Sequence, residues 1–447
     1  MRIFRFFLAT MFFTASVALA DSTAIINVNV IPMSSESVLS ARTVIVTDGK
    51  VVAIGGVDDT PVPDDAFVVD GTDRFLLPGL SEMHGHVPGG NSGDLDRILQ
   101  LYVANGITTV RGMLGQPSHL ELREELRKGT RLGPRLYTSG PSLNGRSVTS
   151  PDRAISMVEQ QHKAGYDFLK IHPGLTREEF DAMADAADRV GIRFAGHVPE
   201  DVGIDRALEA GIATVDHLDG YMESLLRPHE DPSGGLSGFF GVFIADQADE
   251  SKIAAIAAAT ADAGVWNVPT DSLFRHATSP EFDPDDMLNW PEMKYMPADT
   301  VQRWHSSKLE VLNDANYHPD TALRAVRLRQ QLIRELHLNG AGLLLGSDSP
   351  QIFNVPGFAI HRELEYLVDA GLTPFEALHT GTVRPAEFFD RVGEFGVVQA
   401  GAEADLMLLD ANPLEDITNT RRIHGVMVRG RWLSRTELDG ILNNLAR

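Results

Sequence analysis

The stretch "LLPGLSEMHGHVPGG", from Leu76 to Gly90, places two histidines one residue apart, directly after an apolar run and directly before a glycine-rich break. Side chains on a β-strand alternate between two faces, so His84 and His86 point the same way. Two imidazoles on one face can chelate a cation, but the same pair can also close an ordinary strand. The rest of the chain has to distinguish a metal site from a structural pair.

From this stretch onward, short apolar segments alternate with segments of helical periodicity. Helix starts are marked by capping-box spacings at Thr176 with Glu179 and at Thr373 with Glu376. The strand-like segments are the opening stretch, "ITTVR", "RLYTSG", "DFLKIH", "RFAGH", "ATVDH", "VWNVPT" and "GLLLGSD". These eight units predict an α/β fold, a (β/α)8 TIM barrel over residues 76–390. The alternative, a doubly wound open sheet, lacks a G-x-G-x-x-G motif after its first strand.

Short β-like segments occupy both ends of the chain. The first group is "AIINVNVI", "ARTVIVTDGKVVAIGG" and "AFVVDG", within residues 21–75. The second group is "GVVQAGAEADLMLLDAN" and "IHGVMVRGRWLS", within residues 391–447. Turn signals such as Asp48-Gly49 separate the runs. The two groups predict a small composite β-sandwich domain built from both termini.

The first 20 residues, "MRIFRFFLATMFFTASVALA", combine two arginines, a short apolar run and small residues before a polar "DST". This pattern predicts a secretory signal peptide, residues 1–20, and a periplasmic or secreted protein. The alternative is an uncleaved membrane anchor. No later segment is long and apolar enough to cross a bilayer, so no membrane partner is expected after cleavage.

The composition excludes several classes of site and partner. The chain has no cysteine, which rules out disulfides, thiolate ligands and a cysteine nucleophile. Its formal net charge is −23, and such a surface repels phosphate backbones, so no nucleic-acid partner is expected. Any metal must therefore be held by nitrogen and oxygen.

Several side chains that can bind metals stand at the carboxyl ends of the predicted strands, which meet at one end of a barrel. They are His84, His86, Lys170, His197, His217 and Asp348. Several imidazoles crowded together without a shared cation would be costly to desolvate. Nitrogen and carboxylate ligands without sulfur suit zinc, and also manganese, cobalt or nickel.

Lys170 needs its own explanation, because a buried ammonium beside metal ions would be repelled. Burial and neighbouring cations lower the pKa of a lysine, and the neutral amine can then capture carbon dioxide as a carbamate. A carbamate has two anionic oxygens and can bridge two cations. The competing ligand is His172, which lies two residues further along the same strand face.

Six motifs spread along the chain are "PGLSEMHGH", "KIH", "AGHV", "DHL", "GSDSP" and "GVVQAGAEADLMLLDANPLEDI". Together they resemble the amidohydrolase superfamily, especially its imidazolonepropionase-like and Xaa-Pro dipeptidase-like branch. The resemblance covers nearly all of the chain after residue 20. It implies a (β/α)8 barrel, a composite β-sandwich and two divalent metal ions, here Zn²⁺. It also implies that one metal is held by His84, His86 and Asp348 and the other by His197 and His217, with the carbamate of Lys170 as the bridge.

The expected reaction is hydrolysis of an amide by a hydroxide that bridges the metals. Asp348 would accept the proton of the hydroxide and pass it to the leaving amine. Tyr221, in the loop after His217, is a candidate donor to the oxyanion, or else a packed loop tyrosine. The predicted substrate is a small molecule such as a dipeptide or an N-acyl amino acid. The alternatives are hydrolysis of an ester, lactone or phosphoester and a non-catalytic metal-binding role.

Three further features complete the sequence-based expectations. A substrate carboxylate would need a cationic partner, and the candidates are Arg111, Arg146 and Arg275. The irregular segment 271–299, rich in proline, aspartate and aromatic residues, predicts a lid after the seventh strand of the barrel. The sequence leaves open whether the chain forms a homo-oligomer.

Overall fold

The computed structural model of the protein describes residues 22–90, 92–228, 230 and 237–447, so the predicted signal peptide lies outside the described residues. The strands are β1 Ser22–Val30, β2 Leu39–Thr47, β3 Lys50–Gly56, β4 Phe67–Asp70, β5 Phe75–Pro78, β6 Leu80–Gly85, β7 Ile107–Gly112, β8 Arg135–Thr138, β9 Leu169–Ile171, β10 Phe194–Gly196, β11 Thr214–Asp216, β12 Trp266–Val268, β13 Gly342–Leu343, β14 Leu406–Leu409, β15 Ile423–Val428 and β16 Arg431–Ser434. The α-helices are α1 Leu95–Ala104, α2 Ser118–Arg127, α3 Pro151–Ala164, α4 Arg177–Val190, α5 Gly203–Glu209, α6 Tyr221–Ser224, α7 Ile253–Asp262, α8 Asp271–Thr278, α9 Pro284–Met287, α10 Ala298–Leu312, α11 Pro319–Leu338, α12 Phe358–Asp369, α13 Pro374–Gly381, α14 Val383–Phe388 and α15 Arg435–Leu445.

Strands from both ends of the chain pair in one eight-stranded sheet, which runs in the order β16-β15-β14-β5-β1-β2-β3, with β4 beside β1. The link between the two ends is the antiparallel pair of β14 and β5, in which Leu406 lies opposite Pro78. Successive side chains of β14 enter different cores, because side chains alternate along a strand. Leu406 and Leu408 pack in the core of this sheet, whereas Met407 and Leu409 pack in the main core of the protein. The terminal sheet is therefore attached to the central part of the chain by shared apolar packing.

The eight strand segments expected from the sequence are β6 to β13, and every pairing among them is parallel. They form a three-stranded sheet, β6-β7-β8, and a five-stranded sheet, β9-β10-β11-β12-β13. Backbone bridges join Ser139 after β8 to Phe168 before β9, and Gly85 in β6 to Ser349 after β13. The two parallel sheets thus contact each other at both margins, and the carboxyl ends of their strands lie at one end of the molecule.

Two helices that follow these strands begin at the predicted capping boxes. In the first, the Thr176 hydroxyl accepts from the Glu179 N–H, and the Glu179 carboxylate accepts from the Thr176 N–H. The same reciprocal pair joins Thr373 and Glu376 at the start of α13. Helix α4 ends at Gly191, whose φ of 74° is the left-handed conformation that favours glycine. Among the described helices, none combines the length and the apolar character needed to cross a bilayer.

The segment 271–299 is helical rather than irregular, so the prediction of an irregular lid is wrong about its structure. It contains α8, α9, a 3₁₀ turn at Pro291–Tyr295 and the start of α10. Apolar packing fixes these short helices: Trp290 packs on Phe353, and Tyr295 stacks on Phe358 with ring centroids 5.1 Å apart. Proline at helix starts caused the error, because it reads as loop in sequence but is compatible with a first helical turn.

Candidate metal centre

The ends of β6 and β13 bring together the two histidines of the opening stretch and Asp348. The Nε2 atoms of His86 and His84 lie 2.5 Å and 3.5 Å from Oδ1 of Asp348. One ligand atom of each residue lies within 4.8 Å of the other two. The backbone fixes this approach, since the Asp348 N–H donates to the carbonyl of His84 at 2.8 Å. Two imidazoles and a carboxylate this close are a ligand set for one divalent cation.

Two of the predicted ligands have strained backbones. Asp348 has a φ of 58° and His217 a φ of 64°, in the left-handed region that residues other than glycine rarely adopt. Hydrogen bonds hold His217 in this conformation: its N–H donates to the carbonyl of Val268, and its own carbonyl accepts from Arg329 at 2.7 Å. Such strain is maintained where a side chain has to be held in a particular place, and it concentrates at functional sites.

His197 and His217 follow β10 and β11 and join the same cluster. Their ring centroids are 4.7 Å apart, and His217 lies 4.5 Å from His84. Burial lowers the pKa of His197 to about 3 and holds the pKa values of His84 and His217 well below the ordinary range. These imidazoles are therefore neutral at neutral pH, which is the form that binds metals.

Each of these three imidazoles has its Nδ1 beside an oxygen atom of a second residue. The pairs are His84 with Asp216 at 3.0 Å, His197 with Asp219 at 3.0 Å and His217 with Thr270 at 2.8 Å. A polar partner at one ring nitrogen fixes the orientation of the ring and leaves the other nitrogen for a cation. Sequence reasoning missed these three partners, and two of them, Asp219 and Thr270, are recognised only by their contacts with a ligand.

Asp216 is the most constrained of the missed residues. It is fully buried, and its Oδ1 accepts from Arg111 at 3.1 Å and from the hydroxyl of Thr214 at 2.7 Å. Burial would raise the pKa of this carboxyl, but the charges of Arg111 and Lys170 outweigh burial and lower it. The available sequence signal was an acidic residue in the apolar context of "ATVDH", where an unpaired charge is rarely buried.

Lys170, in β9, lies beside Asp216 with a fully buried side chain. Its Nζ has no hydrogen-bond partner among the described residues and is 3.9 Å from Oδ2 of Asp216. Burial lowers the pKa of this amine to about 8. Gly196 provides the space, because a Cβ there would lie 2.5 Å from the carbonyl oxygen of Ile171 and 3.1 Å from the Nζ. The Nζ of Lys170 is therefore buried beside the cluster without a hydrogen bond to any described residue.

The competing residue, His172, also borders the cluster. Its ring centroid lies 5.0 Å from that of His197, and its buried Nδ1 has no partner in the described part of the chain. Burial, and then the charge of Lys170, lower its pKa to about 2. The structure therefore brings both candidates on this strand to the site, and the assignment of Lys170 as the ligand stays a prediction.

A buried acid, Glu82, connects the two strands that carry the first ligand set. Its carboxyl accepts from the N–H groups of His84 at 3.1 Å and Ser347 at 2.8 Å, and it also contacts the Ser347 hydroxyl. Burial raises the pKa of Glu82 to about 8. Sequence reasoning missed this residue, although it lies within the opening stretch. Its position shows how β6 is held against the segment that ends in Asp348.

Of the three arginines considered for a substrate carboxylate, two form ion pairs with aspartates of the protein. Arg111 is fully buried and donates to Asp216. Arg275 donates to Asp271 at 2.9 Å and also contacts Asp369. Arg146 is exposed in the loop after β8, and its guanidinium has no hydrogen bond or ion pair to any described residue. Arg146 is therefore the available cation among the three.

Tyr221 is placed away from the proposed chemistry. Its side chain is buried, and its hydroxyl donates to Asn267 at 2.8 Å and lies 3.0 Å from the hydroxyl of Thr260. Burial raises the pKa of this phenol above its usual value. These contacts tie α6 to α7 and β12, so the structure does not bring the Tyr221 hydroxyl to the ligand cluster. The geometry favours the packing role over the oxyanion role.

Comparisons of sequence and structure relate the chain to several known proteins. The chain is 22% identical to ochratoxinase of Aspergillus niger over 374 residues, which cover 76% of this chain and 71% of the relative. Among solved structures, bottromycin amidohydrolase superposes with a TM-score of 0.71 at 23% identity, over 96% of this chain and 91% of that protein. A Xaa-Pro dipeptidase with bound methionine gives a TM-score of 0.65 at 19% identity, over 92% and 100%. At these identities the structural matches establish the α/β fold.

The family assignment follows from a longer match. Residues 75–433 match the amidohydrolase family, a span that includes β6 to β13 and every residue of the ligand cluster. This match confirms the resemblance found in the motifs around His84 and Asp348. It also confirms the predicted enzyme class, a hydrolase acting on carbon–nitrogen bonds. The chain belongs to the amidohydrolase family.

Proposed function

We propose that the protein is a metal-dependent hydrolase that cleaves the amide or peptide bond of a small substrate, such as a dipeptide or an N-acyl amino acid. The observation that carries the proposal is the cluster that four imidazoles form with Asp348 and with the buried amine of Lys170, which has no hydrogen-bond partner among the described residues. The names of the similar proteins, an ochratoxinase, an amidohydrolase and a dipeptidase, support carbon–nitrogen bond cleavage.

The donor set fits two divalent cations, which we propose to be Zn²⁺. His84, His86 and Asp348 would hold one cation, and His197 and His217 would hold the other. Buried polar atoms without hydrogen-bond partners among the described residues support this fit, since such atoms are rare in the absence of a ligand. They are Lys170 Nζ and His172 Nδ1. When bound, the metal pair supplies Lewis-acid activation of water and of the scissile carbonyl.

Lys170, as a carbamate, would supply two anionic oxygens to the metal pair in this proposal. Its neutral amine attacks the carbon of carbon dioxide, an N–C bond forms, one C=O bond opens to a carboxylate oxygen, and one proton leaves to solvent. The lowered pKa of Lys170, about 8, makes the neutral amine accessible near neutral pH. Beside two bound cations, an anionic carbamate would avoid the repulsion that an ammonium would meet.

Asp348 moves the proton during hydrolysis. Its carboxylate contacts both halves of the centre, with Oδ1 at 2.5 Å from His86 Nε2 and Oδ2 at 3.8 Å from His217 Nδ1. From there it accepts a proton from the attacking water and returns it to the leaving nitrogen. The strained φ of 58° and the hydrogen bond to the carbonyl of His84 hold the carboxylate in place for both transfers.

Arg146 binds the free carboxylate of the substrate in this proposal. Its loop runs beside β9, since the Leu143 N–H donates to the Lys170 carbonyl and the His172 N–H donates to the Leu143 carbonyl. Arg146 thus lies three residues beyond a segment that contacts the predicted bridging lysine. A guanidinium matches a carboxylate through two parallel hydrogen bonds, which orients a dipeptide or N-acyl amino acid relative to the metal pair.

The proposal also covers the barrel, the terminal domain and the export of the protein. We propose that β6 to β13 form one closed (β/α)8 barrel over residues 76–390, supported by the backbone bridges at both margins of the parallel sheets. The mixed terminal sheet supports a composite domain formed by residues 21–75 and 391–447. Export to the periplasm or the exterior, with removal of residues 1–20, is proposed from the sequence alone.

A hydrolysis screen tests the proposed function. The protein is reconstituted with Zn²⁺ and assayed against dipeptides and N-acyl amino acids, with release of the amine as the readout. Asp348→Asn is the matched control, and it should lose turnover by several orders of magnitude while its circular dichroism spectrum is unchanged. Turnover confined to esters, lactones or phosphoesters, or equal turnover in the two proteins, would contradict the proposal.

A further inference from the structure

An aromatic ring covers one side of the ligand cluster. The ring of Phe240 is nearly parallel to that of His217, with centroids 4.8 Å apart and an angle of 16°. It is also nearly parallel to the ring of His197, at 6.1 Å and 21°. Phe240 is half-buried and lies outside every ligand assignment made above. One phenylalanine therefore contacts both imidazoles of the second metal position.

The backbone around this ring is unusual for a phenylalanine. Phe240 has a φ of 50° and a ψ of 45°, a left-handed conformation that is rare for bulky residues. Gly238 and Gly241, the first and last residues of the stretch "GFFG", also have positive φ values, 71° and 79°. A Cβ at Gly238 would lie 2.4 Å from the ring of Phe243, and a Cβ at Gly241 would lie 2.4 Å from Met222. The turn can hold Phe240 in this position only with glycine at both places.

Phe239 packs beside Phe240 in this turn but does not stack on the imidazoles. Its ring lies 4.4 Å from that of Phe240 at an angle of 58°, and it packs against the main apolar core. The aromatic contacts of Phe239 in the described residues include no histidine. Both phenylalanines pack against this core, but only Phe240 stacks on the histidines, which makes Phe239 a matched control for Phe240.

Phe240 places a half-buried apolar ring beside the proposed metal centre. The ring stacks on His217 and lies nearly parallel to His197. A polar substrate group placed against this ring would lose water without gaining a hydrogen bond, whereas an apolar group would gain by leaving water. The ring therefore favours one chemical class of substrate group beside the scissile bond.

We propose that Phe240 determines specificity by forming an apolar wall beside His197 and His217, and that the protein selects substrates with an apolar, preferably aromatic, side chain next to the scissile amide. This inference rests on the proposed function, because it assigns a substrate class to the same site. It adds a residue that the ligand motifs do not contain.

The test compares Phe240→Ala and Phe240→Leu with Phe239→Leu in the full-length, Zn²⁺-reconstituted protein. The first readout is the ratio of kcat/KM for Phe-Gly over Ser-Gly and for Gly-Phe over Gly-Ser. We expect at least one ratio to fall at least about tenfold in Phe240→Ala, to fall less in Phe240→Leu and to stay within about twofold in Phe239→Leu. Unchanged ratios in both Phe240 variants would overturn the inference while leaving amide hydrolysis intact.

A binding readout separates this inference from the proposed function. Calorimetry measures the dissociation constants of L-phenylalanine hydroxamate and L-serine hydroxamate for the same proteins. Loss of the preference for the phenylalanine compound in Phe240→Ala alone supports the inference, even if no peptide is hydrolysed. Equal affinity for the two compounds in the wild type would overturn it. Loss of Zn²⁺ from both Phe240 variants, but not from Phe239→Leu, would also overturn it by showing that the ring only holds the ligands.

Discussion

Oδ2 of Asp216 lies 3.0 Å from Nδ1 of His84, and both atoms are buried and make no hydrogen bond with good geometry within the described residues. A carboxylate at this position keeps the Nδ1 proton on His84 and leaves Nε2 facing Asp348, 3.5 Å away. The pair thus connects a buried charge in β11 with the first ligand in β6. Partners of this kind affect metal affinity almost as strongly as some ligands do.

Asp216→Asn should weaken Zn²⁺ binding about 10- to 100-fold, because the amide keeps the shape but loses the charge opposite Nδ1. It should also lower the free energy of unfolding by about 3 kcal/mol, since the buried Arg111 loses its counter-charge. Chelator competition and urea denaturation measure the two effects. Asp205→Asn, at an exposed carboxylate, is the control and should change neither quantity. Wild-type Zn²⁺ affinity in Asp216→Asn would refute the orienting role.

Gly196→Ala should destabilise the protein by about 2–4 kcal/mol and reduce its metal content. The new methyl would meet the carbonyl of Ile171 at 2.5 Å and the side chain of Lys170, at a φ of 128° that alanine rarely adopts. Thermal unfolding and elemental analysis measure these changes. Gly191→Ala is the matched control, because its φ is 74° but its Cβ would meet nothing within 4 Å. It should cost about 1 kcal/mol and leave the metal content unchanged.

Lys170→Ala should lose metal and activity together, and short carboxylic acids added to the solution should restore part of both by occupying the bridging position. Lys170→Arg should not recover, because the guanidinium stays charged and forms no carbamate. Metal content and amide hydrolysis are measured with and without added acid. His172→Ala is the control on the same strand. If His172→Ala loses metal while Lys170→Ala keeps it, the ligand on this strand is the histidine.

The stability of the metal-free protein should fall between pH 6.5 and about pH 3, in part through His361. Burial lowers the pKa of His361 to about 3, and its Nε2–H donates to the carbonyl of Asn105. Because the folded-state pKa is depressed, the contribution of this residue is complete above pH 6.5 and is lost as the pH falls toward 3, by on the order of 4 kcal/mol. His361→Gln should flatten the dependence of the urea midpoint on pH in this window. Parallel curves for the two proteins would show that His361 does not titrate on unfolding.

The sequence predicted the features that depend on local pattern. The strand ends bearing His84 and Asp348 were identifiable because apolar strands alternate with capped helices, and Thr176 and Thr373 cap helices as expected. The ligand residues converge because parallel strands place their carboxyl ends at one end of the fold. Family motifs then supplied the assignment of each residue to a metal.

The features that the sequence did not predict depend on contacts between distant segments. The role of Asp216 depends on its contacts with His84 and Arg111, which lie more than 100 residues away in the sequence. The position of Phe240 depends on a turn with left-handed residues, and no short sequence motif predicts that turn. Tyr221 was assigned to the site from its place after a ligand, but the direction of its side chain toward Asn267 is set by packing. Local periodicity carries no information about such contacts.

The most direct test of the account is the number of metal ions bound per chain. Elemental analysis of the full-length protein, saturated with Zn²⁺ and freed of excess metal, should give about two Zn²⁺ per chain, because five side chains and a bridge exceed the roughly four ligands of one zinc ion. The Asp348→Asn protein, treated in parallel, should retain less. A wild-type value that stays at about one or below under excess Zn²⁺ would contradict the binuclear centre and the bridging role of Lys170.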